Sequence, residues 1–272
     1  MEASNINLPI ACFLNSLLIV EDKDTIIKKL TSNPSINFHC DNIHLLNIYD
    51  TECLVCYDHI LNTLYITFKW TEEDEISDVS AHLLIKAINV DGIGTIHSGY
   101  YNKYKAVEKE LLKIVDHYTK KNPSILVTGH SLGGAIASIT YLGLISHLQN
   151  QKNGNIYSNN IICITTGSCR SIKNTMLADD AIKCYNFINF EDYVTLYPFN
   201  YKHLGETFLI KNKGKIVVKN IGYLQKFRLC TCFIIEQIRN FFMKGNFFLI
   251  PDAHYLSEYE KVAETVISQI YS

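Results

Sequence analysis

The sequence lacks an excess of charge of either sign. Charged residues make up only 19% of its 272 residues, and the formal net charge is −2, with lysine and arginine scattered along the chain. A nucleic-acid-binding surface needs clustered positive charge, so we expect no nucleic-acid partner. Apolar residues make up 47% of the chain. This share indicates a globular protein and excludes a disordered one.

Long, uninterrupted hydrophobic runs are also missing. The first apolar run, residues 8–20, contains Asn15 and Ser16 and is shorter than the roughly 20 apolar residues of a membrane-spanning helix. No basic residue precedes it, which argues against an export signal. A second apolar region, residues 227–250, is cut by four charged residues, Arg228, Glu236, Arg239 and Lys244. We therefore expect no transmembrane segment and a cytoplasmic location.

Cysteine spacings that indicate disulfides or a metal site are missing as well. The nine cysteines are an odd number and do not pair off at evident spacings. Cys53 and Cys56 lie in a strand-like segment, where residues three apart face opposite sides of a sheet. No second pair of ligands stands near Cys53 and Cys56 or near Cys230 and Cys232. We expect buried free thiols in a reducing compartment, with zinc as the weaker alternative.

What the sequence does contain is a glycine-rich motif, Thr-Gly-His-Ser-Leu-Gly-Gly-Ala, at residues 128–135. An apolar run before it predicts a buried strand, and apolar residues at helical spacing follow it. Ser131 is therefore predicted on an abrupt strand-to-helix turn, where small neighbours relieve a strained backbone. Such a nucleophile elbow lifts the serine hydroxyl off the sheet and aims the Leu132 amide at a developing oxyanion. The alternative is an ordinary glycine-rich turn.

Predicted strands and helices alternate along the chain, which indicates an α/β protein with a mostly parallel sheet and helices on both faces. There is no linker and no internal repeat, so we predict one domain over residues 1–272, with residues 1–45 as a helical N-terminal lead-in. The predicted strands are 53–57 and 64–68 as a hairpin, 94–100, 124–127, 161–168, 183–189, and 206–210 and 215–218 as a second hairpin. The predicted helices after the lead-in are a short one over 76–84, which either packs on the core or forms a mobile lid, then 104–118, the helix after Ser131, 222–243 and 255–270.

A nucleophilic serine needs a base and a carboxylate that orients the base. In α/β-hydrolase sheets these partners follow in the order serine, acid, histidine. Asp192 stands just past the predicted strand 183–189 and is the best candidate for the acid. Glu191 is a weaker substitute, and the alternative for Asp192 is an ordinary solvated loop residue.

The chain order also selects the base among ten histidines. His254 lies in a loop after all the predicted strands and is the favoured base. His203 is predicted to be a structural hydrogen-bonding residue, and His130 is predicted to point away from the serine hydroxyl. His147 falls near the end of the helix after Ser131. Six histidines precede the elbow, against the expected order: His39, His44, His59, His82, His97 and His117.

These motifs together resemble the class 3 lipase family, the fungal-lipase-like branch of the α/β hydrolases. The resemblance runs in order over roughly residues 50–265 and is carried by segments 68–71, 96–100, 128–135, 166–170, 189–198, 201–206 and 252–259. It implies an α/β-hydrolase fold with Ser131 as nucleophile, His254 as base and Asp192 as its orienter. It also implies an oxyanion hole formed by Thr71 and the Leu132 amide, and a lid after Thr71.

A relative of this kind is expected to cleave carboxylic esters of lipids, acylglycerols or phospholipids, through an acyl-enzyme and without a cofactor. Residues 222–243 are aromatic-rich, and we weigh docking on a lipid surface against a sheet-covering core helix, which is favoured. Trp70 departs from the family, which has glycine there, and Lys69 replaces its arginine. A catalytically weak or inactive protein that binds lipids or proteins is therefore the alternative, and an esterase for short acyl chains is a third reading.

Overall fold

The computed structural model describes residues 7–18, 22–32, 38–69, 86–150, 160–211, 215–219 and 252–271. Among these residues, eight strands form one sheet in the order β1-β2-β3-β6-β7-β9-β10-β11, and three more form a small sheet, β4-β5-β8. The strands are β1 Cys40–Ile48, β2 Thr51–Asp58, β3 Thr63–Phe68, β4 Ala87–Val90, β5 Gly94–His97, β6 Ser124–His130, β7 Ile161–Thr166, β8 Ile172–Thr175, β9 Cys184–Asn189, β10 Glu206–Lys211 and β11 Lys215–Lys219.

Helices cover both faces of the large sheet. They are α1 Leu8–Leu17, α2 Lys23–Ser32, α3 Ser98–Thr119, α4 Leu132–Gln149, α5 Leu256–Glu260 and α6 Ala263–Tyr271. Helices α3 and α4 pack on one face, whereas α1, α5 and α6 share the core of the other. The central strands β3, β6, β7, β9 and β10 run parallel, and antiparallel strands stand at both edges. The prediction of a mostly parallel sheet with helices on both faces is confirmed.

Two apolar cores lie on the two faces of this sheet, and β2 shows how the sequence builds both. Cys53 belongs to the core under α3 and α4, whereas Cys56 belongs to the core under α1, and both are fully buried. The alternation of side chains along a strand places them on opposite faces. The described cysteines, seven in number, are all free thiols. Burial raises the pKa of the Cys169 thiol to about 12, so this residue is no nucleophile near neutral pH.

The structure corrects several element predictions. The helical lead-in expected through residue 45 ends earlier, because α2 stops at Ser32 and β1 begins at Cys40. Neither β1 nor the small sheet that contains β8 was predicted from the sequence. The single final helix is two helices, α5 and α6, separated at Lys261 and Val262. The hairpin turn at 212–214 and the predicted helices 76–84 and 222–243 lie outside the described residues.

Among the helices that the structure describes, none is both long enough and apolar enough to cross a bilayer.

Candidate active site

Ser131 occupies the abrupt turn between β6 and α4. Its backbone has φ 53° and ψ −121°, a conformation that non-glycine residues rarely adopt. A side chain at Gly129 would place its Cβ 2.3 Å from the Gly133 carbonyl, and one at Gly133 would lie 2.4 Å from the Phe68 oxygen. Glycine is therefore needed at both positions, because the strand, the helix and the end of β3 approach one another without side chains between them.

Backbone hydrogen bonds hold the strained serine in place. The Ser131 amide donates to the Thr166 carbonyl at the end of β7 (3.0 Å). Its own carbonyl accepts from the amides of Gly134, Ala135 and Cys169 at 3.1–3.3 Å. These bonds connect the turn to the next parallel strand and to the segment after it. These hydrogen bonds hold the turn in its strained conformation, as a strained functional residue requires.

Ser131, His254 and Asp192 form a continuous hydrogen-bonded chain. The Ser131 Oγ lies 2.8 Å from Nε2 of His254, and Nδ1 of His254 lies 2.9 Å from both carboxylate oxygens of Asp192. An ionised carboxylate only accepts hydrogen bonds, so Nδ1 carries the proton and Nε2 is left to accept from the serine hydroxyl. The arrangement has the geometry of a Ser-His-Asp triad.

All three side chains are removed from solvent. Their exposed fractions are 1% for Ser131, 1% for His254 and 0% for Asp192. A buried carboxylate is costly unless it is hydrogen-bonded, and Asp192 accepts from the Tyr259 hydroxyl as well as from His254. The Tyr259 hydroxyl lies 2.6 Å from Asp192 Oδ2. Burial and then the charge of Asp192 raise the pKa of Tyr259 well above its usual range, so the phenol remains a donor.

Asn189 joins the two loops that supply the acid and the base. It ends β9, three residues before Asp192, and its Nδ2 donates to the Ala253 carbonyl beside His254 (2.8 Å). Its backbone amide donates to the Tyr259 hydroxyl (3.0 Å). Asn189 therefore connects the acid loop to the histidine loop. This connection fixes the distance between Asp192 and His254 that their hydrogen bond requires.

His130 contacts Thr166 and the ring of His254. Its Nδ1 is 3.1 Å from Thr166 Oγ1, and its ring packs against His254 with the centroids 5.0 Å apart. Burial, followed by the charge of His254, lowers the pKa of His130 well below its usual range. Gly167, with φ 57°, leaves room for this packing, because a Cβ there would lie 2.9 Å from the His130 ring and 3.1 Å from Asp192.

The predicted oxyanion hole is only partly among the described residues. Leu132 is the first residue of α4, and the amide at that position of a helix has no carbonyl partner within its own helix. The helix dipole adds partial positive charge at the same point. Thr71, Trp70 and the predicted lid after Thr71 lie outside the described residues. Their contribution to the site stays a prediction.

The remaining candidates take other positions. Glu191 is exposed beside the buried Asp192, which leaves Asp192 as the carboxylate next to His254. His203 makes a structural hydrogen bond, with Nε2 2.8 Å from the Ser168 carbonyl. Within the described part of the chain, no cluster of histidine, cysteine and carboxylate side chains could hold a metal ion.

Two contributors to the site were not assigned by the sequence analysis. Tyr259 belongs to the segment quoted for the family resemblance, but nothing in the sequence indicated that its hydroxyl reaches Asp192. Asn189 stood in the acid segment without a role. Both act through contacts between segments more than sixty residues apart, with sequence separations of 67 for Tyr259–Asp192 and 64 for Asn189–Ala253. Spacing along the chain carries no signal for such contacts.

The sequence and the fold of this chain are similar to those of known proteins. The family model described as lipase (class 3) matches residues 65–202, half of the chain. A lipase of Rhizomucor miehei is 29% identical over 200 residues, which are 66% of this chain and 53% of that lipase. The chain thus spans about half the length of this relative.

Solved structures share the fold. A triacylglycerol lipase from Penicillium expansum superposes with a TM-score of 0.62 at 18% identity, covering 93% of each chain. The Rhizomucor miehei triacylglyceride lipase superposes with a TM-score of 0.59 at 22% identity, covering 77% of this chain and 81% of that one. The predicted α/β-hydrolase fold is confirmed.

Proposed function

Because the chain belongs to the class 3 lipase family, we propose that it is a serine hydrolase that cleaves carboxylic esters of lipids. The observation that carries the proposal is the hydrogen-bonded chain from Ser131 through His254 to Asp192. A buried serine on a strained turn, 2.8 Å from an imidazole that a carboxylate orients, is built for nucleophilic attack.

The first half of the proposed reaction forms an acyl-enzyme. Ser131 Oγ attacks the ester carbonyl carbon while its proton passes to Nε2 of His254, and Asp192 stabilises the resulting imidazolium. The amide of Leu132, together with Thr71 in this proposal, donates to the tetrahedral oxyanion. The intermediate collapses when the bond to the alcohol oxygen breaks. The departing alcohol takes the proton from His254, and the acyl group stays on Ser131.

The second half returns the enzyme to its starting state. A water molecule gives its proton to His254 and attacks the acyl carbon. The second tetrahedral intermediate breaks its bond to Ser131 Oγ, which recovers the proton from His254, and a carboxylic acid is released. Atoms and charges balance without a cofactor.

A lipid is the substrate class that the relatives favour. The curated relative is a lipase, and the solved neighbours include triacylglycerol lipases, one of them with a serine-protease-like triad as its catalytic centre. We propose an acylglycerol or a phospholipid ester as the substrate, with peripheral contact at the lipid surface. The proposal includes a cytoplasmic location, which the seven free thiols among the described residues favour.

Fluorophosphonate labelling tests the proposal most directly, because the probe reacts only with an activated serine. We expect wild type to be labelled at Ser131 and both Ser131→Ala and His254→Ala to lose labelling. Ser138→Ala is the matched control, since Ser138 is a buried serine on α4 whose hydroxyl donates to the Gly134 carbonyl (3.0 Å). A folded wild type that takes no label would overturn the proposal and leave a lipase-shaped binding protein.

Hydrolysis assays then distinguish the ester classes. Rates on a long-chain acylglycerol, a phospholipid and a soluble short-chain ester are measured below and above the concentration at which each substrate aggregates. A rate that rises on aggregation supports a lipid substrate. A rate that saturates on the soluble ester alone would replace the lipase by a short-acyl esterase.

A further inference from the structure

A buried polar group of the N-terminal helix lies directly beneath the candidate active site. Asn15, on α1, is 1% exposed, and its neighbours on the same helix, such as Leu14 and Leu17, belong to an apolar core. Its Oδ1 accepts from the hydroxyls of Thr67 (2.9 Å) and Thr128 (3.3 Å). A buried amide is costly unless its hydrogen bonds are made.

The three threonines around Asn15 come from three adjacent parallel strands. Thr67 of β3 stands in register with Thr128 of β6, and Thr166 ends the neighbouring strand β7, in register with His130. The Nδ2 of Asn15 donates to Thr166 Oγ1 at 3.5 Å. One side chain of α1 thus connects the strand ends on which the elbow and its surroundings are built.

Thr166 continues this connection toward the reacting groups. Its Oγ1 is 3.1 Å from Nδ1 of His130, and the His130 ring packs against the ring of His254. His130 also contacts Tyr259, with the ring centroids 5.6 Å apart. The orientation of the His130 ring therefore limits where the His254 ring can lie, because the two rings pack against each other in a closely packed interior.

We propose that Asn15 is a positioning residue for His254, acting through Thr166 and the ring of His130. This inference rests on the proposed function, because the role that it assigns to Asn15 is in the turnover that Ser131 and His254 carry out. The other buried residues of α1 are mostly apolar, so the hydrogen bonds with the three threonines offset the cost of burying the Asn15 amide. The N-terminal helix, which lies outside the matched residues 65–202, becomes part of the catalytic unit.

Steady-state kinetics of conservative variants test the proposal. We expect Asn15→Ala and Thr166→Val to lower kcat about tenfold, with KM within about twofold of wild type, because a displaced base slows chemistry without weakening substrate binding. Thr166→Ser keeps the hydroxyl and is expected to restore kcat. If Asn15→Ala does not fold, the comparison of Thr166→Val with Thr166→Ser still decides the outcome.

Thr165→Val is the matched control. Thr165 precedes Thr166 on β7, and its hydroxyl donates to Asn186 Oδ1 (2.8 Å), away from the chain that reaches His130. This variant also loses a buried hydroxyl and should lose a similar amount of stability, yet we expect it to keep the wild-type kcat. Equal values of kcat in Thr165→Val and Thr166→Val would overturn the proposal and make the network purely structural.

A measurement without substrate separates this inference from the proposed function. Nitrogen-15 spectra of the imidazoles report the tautomers of His130 and His254 directly. We expect one tautomer of His130 in wild type and a mixture in Thr166→Val. Spectra that are unchanged by Thr166→Val contradict the inference, whether or not wild type turns over esters. A changed spectrum in a wild-type protein without esterase activity means that the proposed function has failed and the positioning contact stands.

Discussion

At Tyr259, a single hydroxyl connects the last part of the chain to the buried carboxylate of the candidate triad. The phenol donates to Asp192 Oδ2 and accepts from the Asn189 amide. Without this hydroxyl, the Asp192 carboxylate would lose one hydrogen-bond donor and keep its contacts with His254. The Asn189 amide would lose its acceptor. Tyr259 therefore supports both Asp192 and the connection between the two loops.

Removing this hydroxyl is expected to slow catalysis more than it weakens substrate binding. Tyr259→Phe should lower kcat ~10-fold with little change in KM, and it should destabilise the fold by ~1–3 kcal/mol. Kinetics and thermal unfolding measure the two effects. Tyr141→Phe is the control, because the buried Tyr141 hydroxyl accepts from the Lys183 amide just before β9, whereas Asp192 follows the other end of that strand. Similar kcat losses in both variants would refute the role of Tyr259.

At the scale of elements, α1 supports the C-terminal helices that stand next to the candidate base. It packs against α5 and α6, and Leu14 lies fully buried in the core that these helices share. Helix α5 carries Tyr259 and follows His254 directly. Loss of packing on α1 should therefore be felt at the site as well as in overall stability.

Leu14→Ala tests this coupling. We expect it to destabilise the protein by ~2–5 kcal/mol, because a cavity opens in a close-packed core. Hydrogen exchange should rise first in α5 and α6. Leu111→Ala, in the other core on α3, is the control, since it creates a comparable cavity on the opposite face. Uniform acceleration of exchange by both substitutions would contradict a specific link between α1 and the C-terminal helices.

Much of this element arrangement could be predicted from the sequence, because continuous apolar runs identify the buried parallel strands. Strands β6 and β7 contain such runs, at residues 125–127 and 161–164. Strand β1 contains no such run, because its polar residues alternate irregularly with Ile43, Leu45 and Leu46 at the edge of the sheet. The four-residue β8 is too short to show any period.

The candidate site was also predictable only in part. Ser131, Asp192 and His254 could be found because the chemistry requires those residue types in that order. Asn15 was noticed only as an interruption of an apolar run, since its partners lie 52 or more residues away in the chain. Contacts of that kind depend on which face of the sheet a helix covers. Local sequence patterns do not encode the choice of face.

At the scale of the whole molecule, buried imidazoles make the fold sensitive to acid. Burial lowers the pKa of His97 to about 4, and that of His130 also lies well below the usual 6.5. In the unfolded chain both would bind protons near pH 6.5. Between pH 6.5 and about 4 the unfolded state therefore binds more protons than the folded state, so stability falls as the pH falls.

We expect unfolding free energies to show this loss and a His97 variant to reduce it. Each neutral buried histidine contributes at most ~1.4 kcal/mol per pH unit within that window. His97→Phe retains an aromatic ring for the contact with Tyr100, whose centroid is 4.2 Å away. Denaturant titrations at pH 7, 6 and 5 should show that the unfolding free energy of the variant falls less steeply as the pH falls. An identical dependence of the unfolding free energy on pH would mean that His97 does not account for the acid sensitivity.

The close approach of backbones at the elbow has a consequence for how this protein can change under selection. A Cβ at position 129 or 133 would meet main-chain atoms within 2.4 Å, and no rotamer of a neighbour can relieve such an overlap. In a mutational library selected only for folding, with no substrate present, these two positions should already be depleted of every residue but glycine. Under the proposed function, new ester specificities would therefore arise by variation elsewhere, because steric clearance sets the sequence of the elbow.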